Sequence, residues 1–224
     1  MHSIAASIMC GDQLNLGQEL RKLEEAAVDL LHCDVMDGSF VNNLAMGPYV
    51  LEQIKERTSI PLDIHLATEQ PSKYIDMFAP LQPKYISFHV EVCEQIEKDI
   101  EKIKGYGIEP VLAVNPESPI EMIKPYLSMV PMLLIMTVNP GFAGQRFNHH
   151  VLEKLVVLSK LIETMENKPL IEVDGNINVT TVPALIDRGA NVFVLGTSAL
   201  FNHQKGTYEQ KVNEIRELFE KRRI

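Results

Sequence analysis

The chain has 224 residues, 46% of them hydrophobic and 23% charged, the balance of a water-soluble globular protein of one domain. Its 21 basic and 30 acidic residues give a formal charge of -9, which argues against nucleic acid as a partner and leaves only a focused site for a small anion. No apolar run approaches about 18 residues, and the first residues lack a basic flank ahead of an apolar stretch, so neither membrane insertion nor export is expected and a cytoplasmic location is.

In chain order, short β-type runs alternate with amphipathic helical stretches. Strands are expected at about 3–9, 30–36, 60–66, 84–90, 109–114, 131–138, 169–174 and 191–195. Helices are expected at 14–27, 49–57, 93–106, 119–127, 148–166, 179–187 and 207–223. Eight strand-then-helix units spanning 1–224 predict a single α/β domain, a (β/α)8 TIM barrel with parallel pairing throughout. The alternative is a doubly wound open sheet. Against it, no GxGxxG follows the first strand, and the chemistry-bearing residues end many different strands.

The second strand carries the richest chemistry, in the run Leu31-His32-Cys33-Asp34-Val35-Met36-Asp37-Gly38. Side chains alternate across a strand, so His32, Asp34 and Met36 share one face while Cys33 and Val35 share the other. Leu62-Asp63-Ile64-His65-Leu66 and Glu172-Val173-Asp174-Gly175 repeat the pattern at two later strand ends. His32, Asp34, His65 and Asp174 thus supply two imidazoles and two carboxylates aimed at one axis, a mixed N and O set suited to one divalent metal. Asp63 and Glu172 lie one layer deeper and are expected to support the imidazoles. Cys10, Cys33 and Cys93 lack CxxC spacing and read as reduced thiols, with Cys33 packing on the outward face of its strand.

Glycine-bearing turns end the last three strands. Thr137-Val138-Asn139-Pro140-Gly141-Phe142-Ala143-Gly144-Gln145, Gly175-Asn176 and Gly196-Thr197-Ser198 allow backbone N–H groups to approach an anion closely. They lie where such barrels place a phosphate, with a helix N-terminus adding partial positive charge. A phosphorylated substrate is expected.

These motifs, in order along essentially the whole chain, resemble the ribulose-phosphate 3-epimerase family, whose fold is the ribulose-phosphate binding barrel. The resemblance implies roles in metal, substrate or phosphate binding for Ser7, His32, Asp34, Met36, His65, Met136, Asp174 and the three glycine turns, including Gly141, Phe142, Ala143, Gly144, Gly175, Asn176, Gly196, Thr197 and Ser198. Epimerisation beside a ketone removes a proton and returns one to the opposite face. Asp34 and Asp174 are expected to act as base and acid while ligating the cation, with His32 and His65 as neutral ligands. The resemblance allows zinc, iron(II), manganese or cobalt, a small-molecule ketose phosphate as substrate, and a dimer or larger assembly. No apolar stripe marks the interface.

Departures from the usual pentulose-phosphate pattern point toward a six-carbon substrate. Ser39 and Asn42 stand where the family commonly has His and Pro, and Ala67 follows His65-Leu66 where methionine is usual. The Gly196-Thr197-Ser198 ending is one residue longer than the common Gly-Ser-Ala turn and is similar to the D-allulose-6-phosphate 3-epimerase branch. The expectation is therefore D-allulose 6-phosphate to D-fructose 6-phosphate, with D-ribulose 5-phosphate to D-xylulose 5-phosphate as the alternative and a non-catalytic sugar-phosphate-binding barrel as a third. Met36 occupies the place where decarboxylating barrels need a lysine, which argues against that chemistry.

Overall fold

A computed structural model describes residues 2–202 and 204–222. Its strands are β1 (Ser3–Ser7), β2 (Leu30–Asp37), β3 (Leu44–Ala45), β4 (Leu62–Ala67), β5 (Tyr85–His89), β6 (Glu109–Val114), β7 (Met132–Met136), β8 (Leu170–Asp174) and β9 (Val192–Leu195). All but β3 pair in parallel with their neighbours, and β1 pairs with both β2 and β9, so eight strands close into a TIM barrel. β3 adds a short antiparallel pairing to the end of β2.

Both faces of the barrel strands are buried, which is why they read as near-continuous apolar runs. Outward-facing Leu31, Cys33, Ile64, Phe88, Leu133 and Phe193 form part of the main core under the helices. Ala5, Leu30, Tyr85, Val111, Met132 and Val192 fill the interior. The three cysteines are free, and burial pushes the Cys33 thiol well up, as suits a packing residue.

The helices are α1 (Leu16–Glu25), α2 (Pro48–Arg57), α3 (Pro71–Phe78), α4 (Ile96–Gly105), α5 (Val151–Glu163), α6 (Val182–Ile186) and α7 (Tyr208–Glu220). A capping box starts α7: Thr207 Oγ1 accepts from the Gln210 N–H, and Gln210 Oε1 accepts from the Thr207 N–H. The last helix is shorter than expected, and residue 223 lies outside the described residues. At 119–127 the expected helix is instead two 3-10 turns, Ile120–Met122 and Lys124–Tyr126, because Pro125 lacks an N–H and crowds the preceding turn. The sequence pattern also missed α3 and β3, both too short to give a periodic signal. Among the described residues no helix is long and apolar enough to cross a membrane.

Register sets the site. In the parallel ladders Ser7 lies beside His32, Asp34 beside His65, and Asp174 beside Met136, so polar side chains of consecutive strands meet at one end of the barrel.

Candidate active site

The strand ends surround a partly open cavity that, with the solvent in its mouth, encloses about 600 Å³. Every residue given a metal, substrate or phosphate role from the sequence lines it except His32, which is fully buried in the same cluster. His32, Asp34, His65 and Asp174 each present one ligand atom, and these atoms all lie within 4.8 Å of one another.

Hydrogen bonds orient the cluster. Ser7 Oγ donates to Asp34 Oδ2 at 2.8 Å, and His65 Nδ1 stands 3.1 Å from Asp34 Oδ1. His32 Nδ1 is 2.6 Å from Asp63 Oδ2, the contact expected of a deeper carboxylate. A proton on Nδ1 satisfies that contact and leaves Nε2 pointing toward Asp34 Oδ1 at 3.5 Å and Asp174 Oδ2 at 4.0 Å. This Nε2 is fully buried and has no hydrogen-bond partner. Glu172 makes no such bond: its nearer oxygen is 3.9 Å from His32 Nδ1, and both its oxygens lack partners.

The electrostatics favour positive charge at the centre. Burial opposes a charged His32, but the carboxylates of Asp34 and Asp63 raise it well above the ordinary imidazole value. Burial also opposes ionisation of Asp34, yet the charge of the adjoining His32 holds it far below the usual carboxylate range. Asp174 goes the other way. Burial, with the Asp34 charge beside it, pushes it up to about 6. Burial and the neighbouring Asp63 keep Glu172 protonated well above the ordinary range. An orphaned imidazole nitrogen facing two carboxylates fits a divalent cation, which satisfies all three acceptors where a single proton cannot.

The three glycine turns form one rim of the cavity. Gly141, Gly144, Gly175 and Asn176 all have positive φ, and Asn176 Nδ2 donates to Gln145 O at 2.7 Å, tying the loop after β8 to the loop after β7. No Lys or Arg lines the cavity among the described residues, so an anion here depends on backbone N–H groups. The helix following β8 is only the five-residue α6. Gly175 is the least replaceable: at φ +121° a Cβ would lie 2.5 Å from Val138 Cγ2 and 2.8 Å from Val138 N. Gly175→Ala should therefore cost about 3 kcal/mol by urea unfolding and raise KM for a phosphorylated ketose. Gly144→Ala, with nothing within 4 Å, should cost only about 1 kcal/mol.

The sequence reading missed several contributors. Cys10 lines the cavity, with its Sγ 3.7 Å from Ser7 Oγ, and burial pushes its thiol up to about 11. Asn43 Nδ2 donates to Gly141 O at 2.6 Å, bridging two loops 98 residues apart. His89 and Glu91 stand behind His65, with His65 Nε2 2.9 Å from His89 Nε2 and His89 Nδ1 3.2 Å from Glu91 Oε2. His89 shares the inward parity of Tyr85 and Ser87, a signal the sequence did contain. Burial and the adjacent His65 lower His89 to about 4. Despite burial, hydrogen bonds from His89 and Ser118 hold Glu91 at about 2. Ala67 does not itself line the cavity; it is fully buried against Met36 and Val41.

Fold and site together define a (β/α)8 barrel with an acid-and-imidazole cluster and a rim of glycine turns at its strand ends. Among solved structures it is similar to 3-hexulose-6-phosphate synthase from Salmonella typhimurium (TM-score 0.69, 13% identity, 98% of this chain and 99% of that one). It is also similar to phosphoribosyl anthranilate isomerase from Thermococcus kodakaraensis (TM-score 0.64, 14% identity, 98% and 99% covered). At such identities the likeness shows the fold alone.

Sequence comparison goes further. The Ribulose-phosphate 3 epimerase family model matches residues 3–201, and the chain belongs to that family, an isomerase of the epimerase class. It is 37% identical over 217 residues to ribulose-phosphate 3-epimerase of Bacillus subtilis (strain 168), covering 96% of this chain and 99% of that protein. It is 40% identical over 194 residues to the enzyme of the same name from Helicobacter pylori (strain J99), covering 87% and 88%. The named relatives at 35–40% identity are all ribulose-phosphate 3-epimerases, and none of them carries the name of the allulose branch expected from the strand-eight turn.

Proposed function

We propose that the chain is a metal-dependent D-ribulose 5-phosphate 3-epimerase, interconverting its substrate with D-xylulose 5-phosphate. The observation that carries this reading is the pairing of Asp34 and Asp174 in one cluster with two imidazoles, one carboxyl held ionised and the other able to carry a proton. One carboxylate takes the proton from C3, and the C–H electron pair moves toward the C2 carbonyl oxygen. The other carboxylic acid then returns a proton to the opposite face of C3, and the two exchange roles with the direction of reaction. Ser7 orients Asp34 through its 2.8 Å hydrogen bond. Met36 and Met136 wall the cavity without offering donors or strong acceptors, and the loops at Gly141–Gly144, Gly175–Asn176 and Gly196–Ser198 receive the phosphate. His32, Asp34, His65 and Asp174 would hold one divalent cation. When bound, it polarises the ketose oxygens and stabilises the charge that develops on them.

A six-carbon ketose phosphate is the second reading, favoured by the Thr197-bearing turn that lines the cavity. The family relatives weigh toward the five-carbon sugar. Steady-state assays of the metal-loaded protein should give a kcat/KM at least about tenfold higher for D-ribulose 5-phosphate than for D-allulose 6-phosphate. The reverse ratio would replace the first reading by the second.

A further inference from the structure

Behind His65 runs a chain of polar groups that proton transfer does not use. Glu91 accepts from the Asn115 N–H at 2.7 Å. Lys154 Nζ donates to the carbonyls of Asn115 and Pro116, at 2.7 Å each, and so anchors the loop that holds Glu91. The ring of Phe40 packs 4.7 Å, centroid to centroid, from that of His89.

A chain that ends on a carboxylate has only one polarity. Glu91 offers acceptors, so His89 Nδ1 must carry the hydrogen that faces Glu91 Oε2 at 3.2 Å. His89 Nε2 is then a lone pair, and the 2.9 Å contact with His65 Nε2 is satisfied only if His65 donates. With its hydrogen on Nε2, His65 presents the Nδ1 lone pair toward Asp34 Oδ1 at 3.1 Å. Two acceptors face each other there, which is the arrangement a cation resolves.

We propose that Glu91 and His89 are positioning residues: through hydrogen bonds of fixed direction they set the tautomer of His65, so that its Nδ1 serves as the metal ligand. This rests on the metal reading above. His32 is set in parallel by Asp63, so the two imidazoles are oriented by independent carboxylates, one on β4 and one in the turn that follows β5.

The test is on the full chain loaded with Zn(II) and, for affinity, Co(II) titrated against a chromophoric chelator. In ¹⁵N-histidine-labelled wild type, His65 should show a metal-bound Nδ1 and a protonated Nε2. His89→Leu and Glu91→Leu should weaken Co(II) binding by about 10–100-fold. His89→Gln keeps an acceptor for His65 and a donor for Glu91, so it should restore affinity to within a few-fold of wild type, a rescue that loss of packing alone would not give. A protonated Nδ1 on His65 in the zinc-loaded wild type overturns the proposal even if the variants fail to fold, as does wild-type Co(II) affinity in His89→Leu. Absence of stoichiometric metal binding by the wild type overturns this proposal and the metal reading together.

Discussion

Asp174→Asn should lower kcat for C3 epimerisation by about 10²–10⁴-fold, and Asp34→Asn should do the same. Either exchange keeps the side-chain volume but deletes a proton carrier, and the surviving carboxylate can serve only one face of C3. Deuterium exchange at C3 separates the two half-reactions. A variant that still removes the proton from one epimer but cannot complete inversion should wash solvent deuterium into that epimer alone. Both variants also lose an anionic donor to the cation, so metal content has to be measured alongside kcat, and the rate loss should persist at saturating metal. In wild type, kcat/KM should fall on the acid side as Asp174 takes up its proton. Burial sets that carboxyl at about 6, and a bound cation lowers it further.

Removing the metal should be comparably severe. Dialysis against a strong chelator should reduce turnover at least a hundredfold, roughly the several kcal/mol that a cation contributes to developing charge, and added divalent metal should restore it. The stripped site has a further signature. Asp34 and Asp63 raise His32 above its ordinary value, so a cation competes with a proton for that imidazole. Metal titrations in buffers of different ionisation enthalpy should therefore report net proton release. Proton uptake would contradict the assigned electrostatics, and full activity in metal-depleted protein would contradict the ligand set.

The cluster was legible because a strand repeats every two residues. His32 and Asp34, Asp63 and His65, and Glu172 and Asp174 occupy alternate positions of apolar runs that end at turns, so parity alone placed them in the barrel. His89 shares that parity and was passed over; its partner Glu91 lies past the strand end, and only the fold shows the two in line behind His65. The Asn43 bridge to Gly141 and the Asn176 bridge to Gln145 depend on which loops meet, which no local pattern encodes. Ala67 shows the opposite failure. Compared residue by residue it counted among the departures pointing to a six-carbon substrate, whereas its side chain is packed against Met36 and Val41 and lies off the cavity lining. Pro125 was present in the sequence and outweighed the apolar spacing that suggested a helix around it.

The central claim, inversion at C3 of a ketose phosphate by two carboxylates at a metal cluster, is tested most directly by NMR in D₂O. Metal-loaded protein is mixed with D-ribulose 5-phosphate, and separately with D-allulose 6-phosphate, and C3 is followed over time. The expected result is deuterium entry at C3 with formation of the 3-epimer, faster on the five-carbon sugar and abolished by chelation. Exchange on neither ketose by protein that binds its metal would contradict it.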